Sequence, residues 1–425
     1  MREGTTPTVA LVMDSNRFPH PYLITAANVS AHRVSSSPIV VQLRGEMGNH
    51  LSTIAHGIGL QLAAWQDYNL STHLLLRHQT LVDNDGTVME NPKWLPTSRV
   101  LRQCFPAMRE WDFSAGSRWG EFDQLWKRQR DLQDESLAGM DSEQVRLLKQ
   151  IQSVNGRIMA GRKGLDDMKE PVTEQDISEG LAAFAALRRS GREDKGFSQT
   201  SSFLNSPFLY SDSMDNMILV KRFLKIFRDL FRIDPSCCAS DRPDPDEAVF
   251  HYRNFAKEFE LLSRRKDGVK RSTLPSFEEA TPHQTVQVLF SHLKPGHKVA
   301  ITSRFADDPV VFEYVHALEK QNFQVRVIDG GNNSERQDFE DFCFLLHARK
   351  IVGNFRSTFV FWAALLGKAE RILLYTIKSP GLKVRFGPFI KTFFTGNFKW
   401  HFDDDGAEFQ KHLQMILLPM EVIQD

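Results

Sequence analysis

The sequence predicts an α/β protein whose C-terminal half is a parallel, doubly wound sheet. Three observations carry this. From about residue 247 short apolar segments alternate with helical patterns of ten or so residues. Near the N-terminus, "PIVVQLRGEMGNHLSTIAHGIGLQLAAW" runs from a β-branched strand through glycines into a helix. And 425 residues exceed what one small core organises, so two or three domains are expected.

Composition narrows the partners. Lys plus Arg and Asp plus Glu both total 53, so net charge gives no argument for nucleic acid or an anionic membrane surface. The 41% hydrophobic content supplies an ordinary core. No apolar run is long enough to span a bilayer, the N-terminus lacks the basic and apolar regions of a signal peptide, and no membrane contact is expected. Cys104, Cys237, Cys238 and Cys343 lack metal-site spacing, which permits one or two disulfides without requiring any. Sequons stand at Asn28, Asn69 and Asn332 and are compatible with the secretory route.

Taken in order, residues 1–37 read as an irregular arm and 38–43 as the first strand. In the helix that follows, Leu51, Ile54, Ala55, Ile58 and Leu62 share one face. Residues 38–245 form an N-terminal α/β domain whose charge-rich part, about 120–195, is a helical insertion with solvated faces, "KRQR" among them. "DRPDPDEA" (241–248) has the proline density of a linker, which makes its Asp244-Pro-Asp246 a loop feature rather than a metal motif. A second domain spans 246–400. Its strands are "AVFHYR", "HKVAITS", "FQVRVID", "KIVGN" and "ERILLYT". Its helices include "DPVVFEYVHALEKQ", started by Asp308 and Pro309, and "DFEDFCFLLHAR", with Phe339, Phe342, Cys343 and Leu346 on one face. "STFVFWAALLG" follows, opened by Ser357 and closed by Gly367, with its aromatic residues in the core. Residues 401–425 are expected to end the chain as a helix.

Ligands of such sheets bind beyond the strands' carboxyl ends. Three segments stand there. His251 and Arg253 leave one strand on the same side, and an Arg fork is suited to a phosphate. Ser303, Asp307 and Asp308 follow the next; Asp308 before Pro309 reads as a helix cap, leaving Asp307 as the freer acid. Arg356, Ser357 and Thr358 open a helix and make an anion site with its first-turn N–H groups. The junction Arg44, Gly45, Glu46, Met47, Gly48, Asn49 is either a tight connection or a fourth such site.

The order of these segments resembles the GDP-fucose-dependent fucosyltransferase superfamily, which includes α-1,2-, α-1,6- and protein O-fucosyltransferases. "LRGEMGNHL" stands where those enzymes carry a Gly-Gly-Leu-Gly-Asn-Gln-type loop, His251-Tyr252-Arg253 matches their His-x-Arg, and "TSRFADD" matches a Ser-Asp-Asp-like turn. "EDFCFLLHARKIVGNFRSTFVFWAALLG" matches their late segment most specifically. The likeness covers roughly 38–66 and 247–380. Departures are "NFAKE" where the family often continues to x-Gly-Asp or x-Thr-Asp, Gly45-Glu46 within the glycine loop, and Arg356 where small hydroxyl residues are common.

The resemblance implies a GT-B-like fold of two Rossmann-like domains about a central cleft, working in the Golgi or ER lumen, with a cytoplasmic setting as the alternative. It implies inverting, metal-independent transfer of L-fucose from GDP-β-L-fucose to a glycan or glycoprotein hydroxyl, with no cofactor. Arg253 and Glu46 take the catalytic roles, and His251, Arg253, Gly45, Gly48, Asn49, Ser303, Asp307, Arg356, Ser357 and Thr358 line the nucleotide sugar. Asn49 is expected to fix the start of its helix, with Gly45 and Gly48 permitting close backbone approach. Rival readings are a catalytically silent nucleotide-sugar or glycan-binding protein and a transferase using another nucleotide sugar. Glu46, as base toward the acceptor hydroxyl, gives a first expectation: Glu46→Gln lowers turnover while nucleotide affinity, measured by titration, stays nearly unchanged. Equal loss of both assigns Glu46 to binding or folding.

Overall fold

The computed structural model describes residues 10–11, 23–24, 37–43, 47–70, 72–78, 80–82, 88–90, 95–109, 141–147, 149–150, 153, 174–189, 219, 222–223, 226–227, 230–238, 241–254, 282–328, 334–354, 357–378, 398–404 and 407–421. The chain divides into two compact units, the first running to Asp234 and the second starting at Pro235.

In the first unit, the N-terminal arm contains a short antiparallel pair, β1 (Ala10–Leu11) with β2 (Leu23–Ile24). The expected strand-turn-helix is present as β3 (Ser37–Leu43) and α1 (Met47–Tyr68), and α1 returns the chain to β4 (Thr72–His78), parallel to β3. This is a βαβ unit. A small antiparallel pair, β5 (Thr80–Val82) with β6 (Val88–Glu90), and α2 (Leu95–Cys104) follow.

The apolar face expected on α1 is buried, but so is nearly every other residue from Met47 to Ala64, including His50, His56 and Gln61. A helix buried on all sides needs neighbours on all sides. One is α3 (Glu174–Arg189), which lies within the expected helical insertion; "KRQR" lies outside the described residues. The Tyr68 hydroxyl reaches the Ser178 carbonyl at 2.8 Å, and Arg189 donates to the Tyr68 carbonyl at 2.8 Å.

The second unit is built on β7 (Ala248–His251), α4 (Pro282–His292), β8 (Lys298–Thr302), α5 (Pro309–Lys320), β9 (Gln324–Ile328), α6 (Ser334–His347), β10 (Lys350–Asn354), α7 (Thr358–Leu366) and β11 (Arg371–Lys378). These five strands are parallel and lie in the order β11-β10-β7-β8-β9. The chain therefore winds outward from β7 through β8 and β9, then crosses back to β10 and winds the other way. With right-handed crossovers this covers both faces with helices.

Side-chain alternation sorts the core. Ala248, Phe250, Val299, Ile301, Val352 and Leu373 join Leu289 of α4 and Tyr314 of α5 in one cluster. Val249 and His251 consequently face the other layer, where α6 packs on α7 and α7 on β10.

Two expectations are corrected. Residues 401–425 do not form a helix: β12 (Phe398–Asp404) pairs antiparallel with β13 (Ala407–Glu421), which adds parallel to β11. Physically, Asp405-Gly406 is the two-residue hairpin signal, and Pro419 removes the N–H that a helix would need. The proline-rich segment is not a free linker either, and the boundary lies before it. Arg326 of β9 forks onto Glu247 with two bonds of 2.8 Å and reaches Asp241 at 3.4 Å, while Lys298 pairs with Asp244 at 2.6 Å. The Arg326 guanidinium also lies over the Phe344 ring of α6 at 5.3 Å. Cys238 is disulfide-bonded to Cys343 of α6, closing a loop of 105 residues, worth about 4–5 kcal/mol in the loop-entropy treatment.

Glu247 is 2% exposed, and the Arg326 fork places a cation against its carboxylate. Arg326→Met is expected to destabilise the protein by about 3 kcal/mol, read from chemical denaturation, because it leaves a buried carboxylate unpaired. Glu247→Leu combined with Arg326→Met should recover most of that loss. Equal stability of the single variant and the native chain contradicts this account.

Candidate functional site

The strand order reverses between β7 and β10, and in open α/β sheets the crevice at such a reversal, beyond the strands' carboxyl ends, is where ligands bind. His251 ends β7 and Asn354 ends β10. The site is assembled from what the chain places around that point.

His251 is 8% exposed and faces α7. Its ring stacks on Phe359 with centroids 4.9 Å apart, and its Nδ1 lies 3.1 Å from the Thr302 hydroxyl at the end of β8. Stacking and hydrogen bond together fix the ring's plane. Phe359 also meets Phe342 of α6, as a core residue would.

The segment after β7 is held on both sides. Tyr252 N–H continues the ladder to the Thr302 carbonyl at 2.9 Å, and Asn254 Nδ2 donates to Asp308 Oδ2 at 3.1 Å. Arg253, half-buried, stands between these two anchors, so its backbone position is set before any ligand arrives. Asp308 is the helix cap the sequence predicts: its other oxygen accepts Val310 N–H at 3.0 Å, with Pro309 in the first turn. Asp307 is exposed.

Across the reversal, Ser357 caps α7. It is buried, and its hydroxyl accepts Val360 N–H at 3.3 Å. Thr358, half-buried, opens the first turn. The helix lies unusually close to the sheet because β10 carries glycine: a Cβ on Gly353 would come within 2.9 Å of Val360 Cγ2. At the other end of α7, a Cβ on Gly367 would come within 2.6 Å of the Ala363 carbonyl oxygen, so the expected closing glycine is required by close approach. Its φ is −93°, which any residue adopts.

The structure thus brings together His251, Arg253, Ser357 and Thr358 at one end of the sheet, with Asp307 on the adjacent turn. A helix N-terminus and an arginine at one crevice favour an anion. Ser303 is fully buried, and its hydroxyl accepts Phe305 N–H at 3.3 Å, which shapes the turn after β8. In the first unit, Gly48 and Asn49 lie inside α1, where their carbonyls accept the hydroxyls of Ser52 at 3.0 Å and Thr53 at 2.7 Å. The helix begins by Met47, so Asn49 does not set its start. Arg44, Gly45, Glu46 and Arg356 lie outside the described residues. The residues that sequence reasoning passed over are Asn254 and Gly353, while Thr302 is read from sequence only as the end of a strand; each sits within three residues of a strand's carboxyl end, the one signal that could have marked them.

Asp244 of the Asp-Pro-Asp triplet is occupied by Lys298, which holds its carboxyl below the usual carboxylate range. Among the described residues no group of three or more His, Cys, Asp or Glu side chains is placed to hold a metal ion, and no described helix is long and apolar enough to cross a membrane. No protein-family model matches the chain, and no curated protein matches it.

Gly353→Ala is expected to cost about 1–3 kcal/mol by overpacking β10 against α7. Thermal unfolding of the single variant and of Gly353→Ala with Val360→Ala checks this: relief in the double variant identifies the clash, and an unchanged midpoint in the single variant refutes the close approach.

Proposed function

We propose that the chain is an inverting glycosyltransferase that moves L-fucose from GDP-β-L-fucose to a hydroxyl of a glycan or glycoprotein. The observation that carries this reading is the convergence of His251 and the Ser357-capped helix at the strand-order reversal, because these are the segments by which the sequence resembles the GDP-fucose-dependent superfamily. In this reading the fold is GT-B-like, the second unit holds the nucleotide, the first supplies the acceptor side, and no metal is required.

The chemistry asks for two things of the chain. The acceptor oxygen attacks C1 of fucose as the C1–O bond to the diphosphate breaks, so negative charge grows on GDP while the sugar becomes oxocarbenium-like. Arg253, held between its two anchors, stabilises that charge, a contribution of about 3 kcal/mol for one well-placed donor. The N-terminus of α7, with Ser357 and Thr358, acts on the same diphosphate, joined by Arg356. The acceptor proton passes to a base, for which Glu46 of the glycine loop is the candidate. His251 holds the diphosphate or a sugar hydroxyl, and Asp307 accepts from ribose or base. The disulfide between Cys238 and Cys343 favours an oxidising compartment, in keeping with the ER or Golgi lumen. Nucleic acid and membrane have no part in this reading.

One observation favours a second reading, a binding protein that has lost turnover. Phe255-Ala256 stands where the family motif carries Gly-Asp, and Asn254 just before it is a neutral residue that donates to Asp308. Calorimetric titration with GDP, GDP-fucose, GDP-mannose and UDP-sugars, followed by donor hydrolysis, separates the readings. The expected result is binding of GDP and GDP-fucose, slow release of fucose, and a loss of about 10²–10³ in turnover for Arg253→Ala. Binding of GDP without turnover supports the silent protein, and preference for UDP-sugars removes the fucose assignment.

A further inference from the structure

We propose that Asn69 is an N-glycosylation site. The inference rests on the luminal setting given above and is independent of the transfer reaction. Of the three sequons, Asn28 and Asn332 lie outside the described residues, whereas Asn69 of Asn69-Leu70-Ser71 is described and exposed.

Its surroundings suit a bulky modification. Asn69 follows the last residue of α1 with φ of 51°, the left-handed conformation that stops a helix and that asparagine tolerates better than most residues. The turn is closed by main-chain groups: Asn69 N–H donates to the Trp65 carbonyl at 2.9 Å and Leu70 N–H to the Ala64 carbonyl at 3.1 Å. The residues before it are tied down, Tyr68 by Ser178 and Arg189, and Asp67 by Arg222 at 2.7 Å. A glycan on the Asn69 side chain therefore takes no hydrogen bond from the turn, and it hangs from an anchored backbone at the end of a buried helix. An exposed turn in a disulfide-bonded chain is the setting in which such sequons are used.

The co-reactant is a lipid diphosphate-linked oligosaccharide, delivered by the lumen's own oligosaccharide transferase. The Asn69 side-chain nitrogen bonds to C1 of the reducing sugar, the bond from C1 to the diphosphate oxygen breaks, the amide proton passes to a base, and the lipid diphosphate leaves. Electrons balance without an oxidant.

The test uses the full chain purified from its own cells, digested with a glycan-releasing amidase and mapped by peptide mass, alongside Ser71→Ala. The expected result is conversion of Asn69 to Asp on release, a downward gel shift, and loss of that conversion in Ser71→Ala, which leaves the left-handed asparagine in place. Asn69 unmodified overturns the proposal. Thiol titration of the same sample separates the causes. Intact disulfides with unmodified Asn69 overturn this site alone, whereas reduced cysteines with unmodified Asn69 overturn the site together with the luminal setting.

Discussion

The site depends on one close approach, the seating of α7 on Gly353. Helix N-termini bind anions only where their first turn is brought to the ligand, and a helix packed at ordinary distance on β10 would hold its N-terminus farther from the end of β7. Removing one Cβ lets Val360 fall onto the strand. That places Phe359 against the His251 ring and Ser357 beside the strand-order reversal. Gly367 completes the constraint at the other end, where α7 meets the backbone of α6. Lys368 N–H then donates to the Leu346 carbonyl at 2.7 Å, so the C-terminal end of the helix is set by backbone contacts.

The two ends of the sheet are built on different principles. At the amino ends, charge is used up in pairs: Glu247 with Arg326, Asp244 with Lys298, and a disulfide joining the lead-in segment to α6. This closes the path into β7 and fixes where the strand begins. At the carboxyl ends, polar groups hold one another in position through side-chain hydrogen bonds. Thr302 orients His251, and Asp308 spends one oxygen on its helix and the other on Asn254. The strand that is clamped at one end delivers an arginine at the other.

Legibility followed the range of the interactions. The alternation of strands and helices after Ala248, the Asp308 and Ser357 caps and the burial of Phe359 were readable, because each depends on residues within a turn or on a period of two or 3.6. The turn bond of Ser303 was not legible, because a hydroxyl at a strand end reads the same whether it meets a ligand or its own backbone two residues on. On α6 the expected face was only part of the buried surface: Leu345 is fully buried while Leu346 is half-buried, since a helix between a sheet and a disulfide-linked segment is covered on more than one side. The C-terminal hairpin was lost to a long-range pairing, since β13 is fixed by β11 some forty residues earlier in sequence. Gly353 was legible as a glycine but not as a contact, for its meaning depends on Val360 from the next helix.

Asn254 is where the sequence and the fold bear most directly on activity. An acid after His-x-Arg would compete with a diphosphate for Arg253 while also holding it in place. An amide in that region can still hold the loop, and here it does so through Asp308, whose negative charge already serves the cap of α5. The loop is therefore fixed by a bond that runs through Asp308. Under the proposed transfer reaction, the Asn254 to Asp308 bond is a means of positioning Arg253 that does not need the acid of the fucosyltransferase motif. Under the proposed transfer reaction, an active protein differs from a silent one in whether Arg253 meets the leaving diphosphate more closely in the transition state than in the bound donor, since only that difference would speed the reaction.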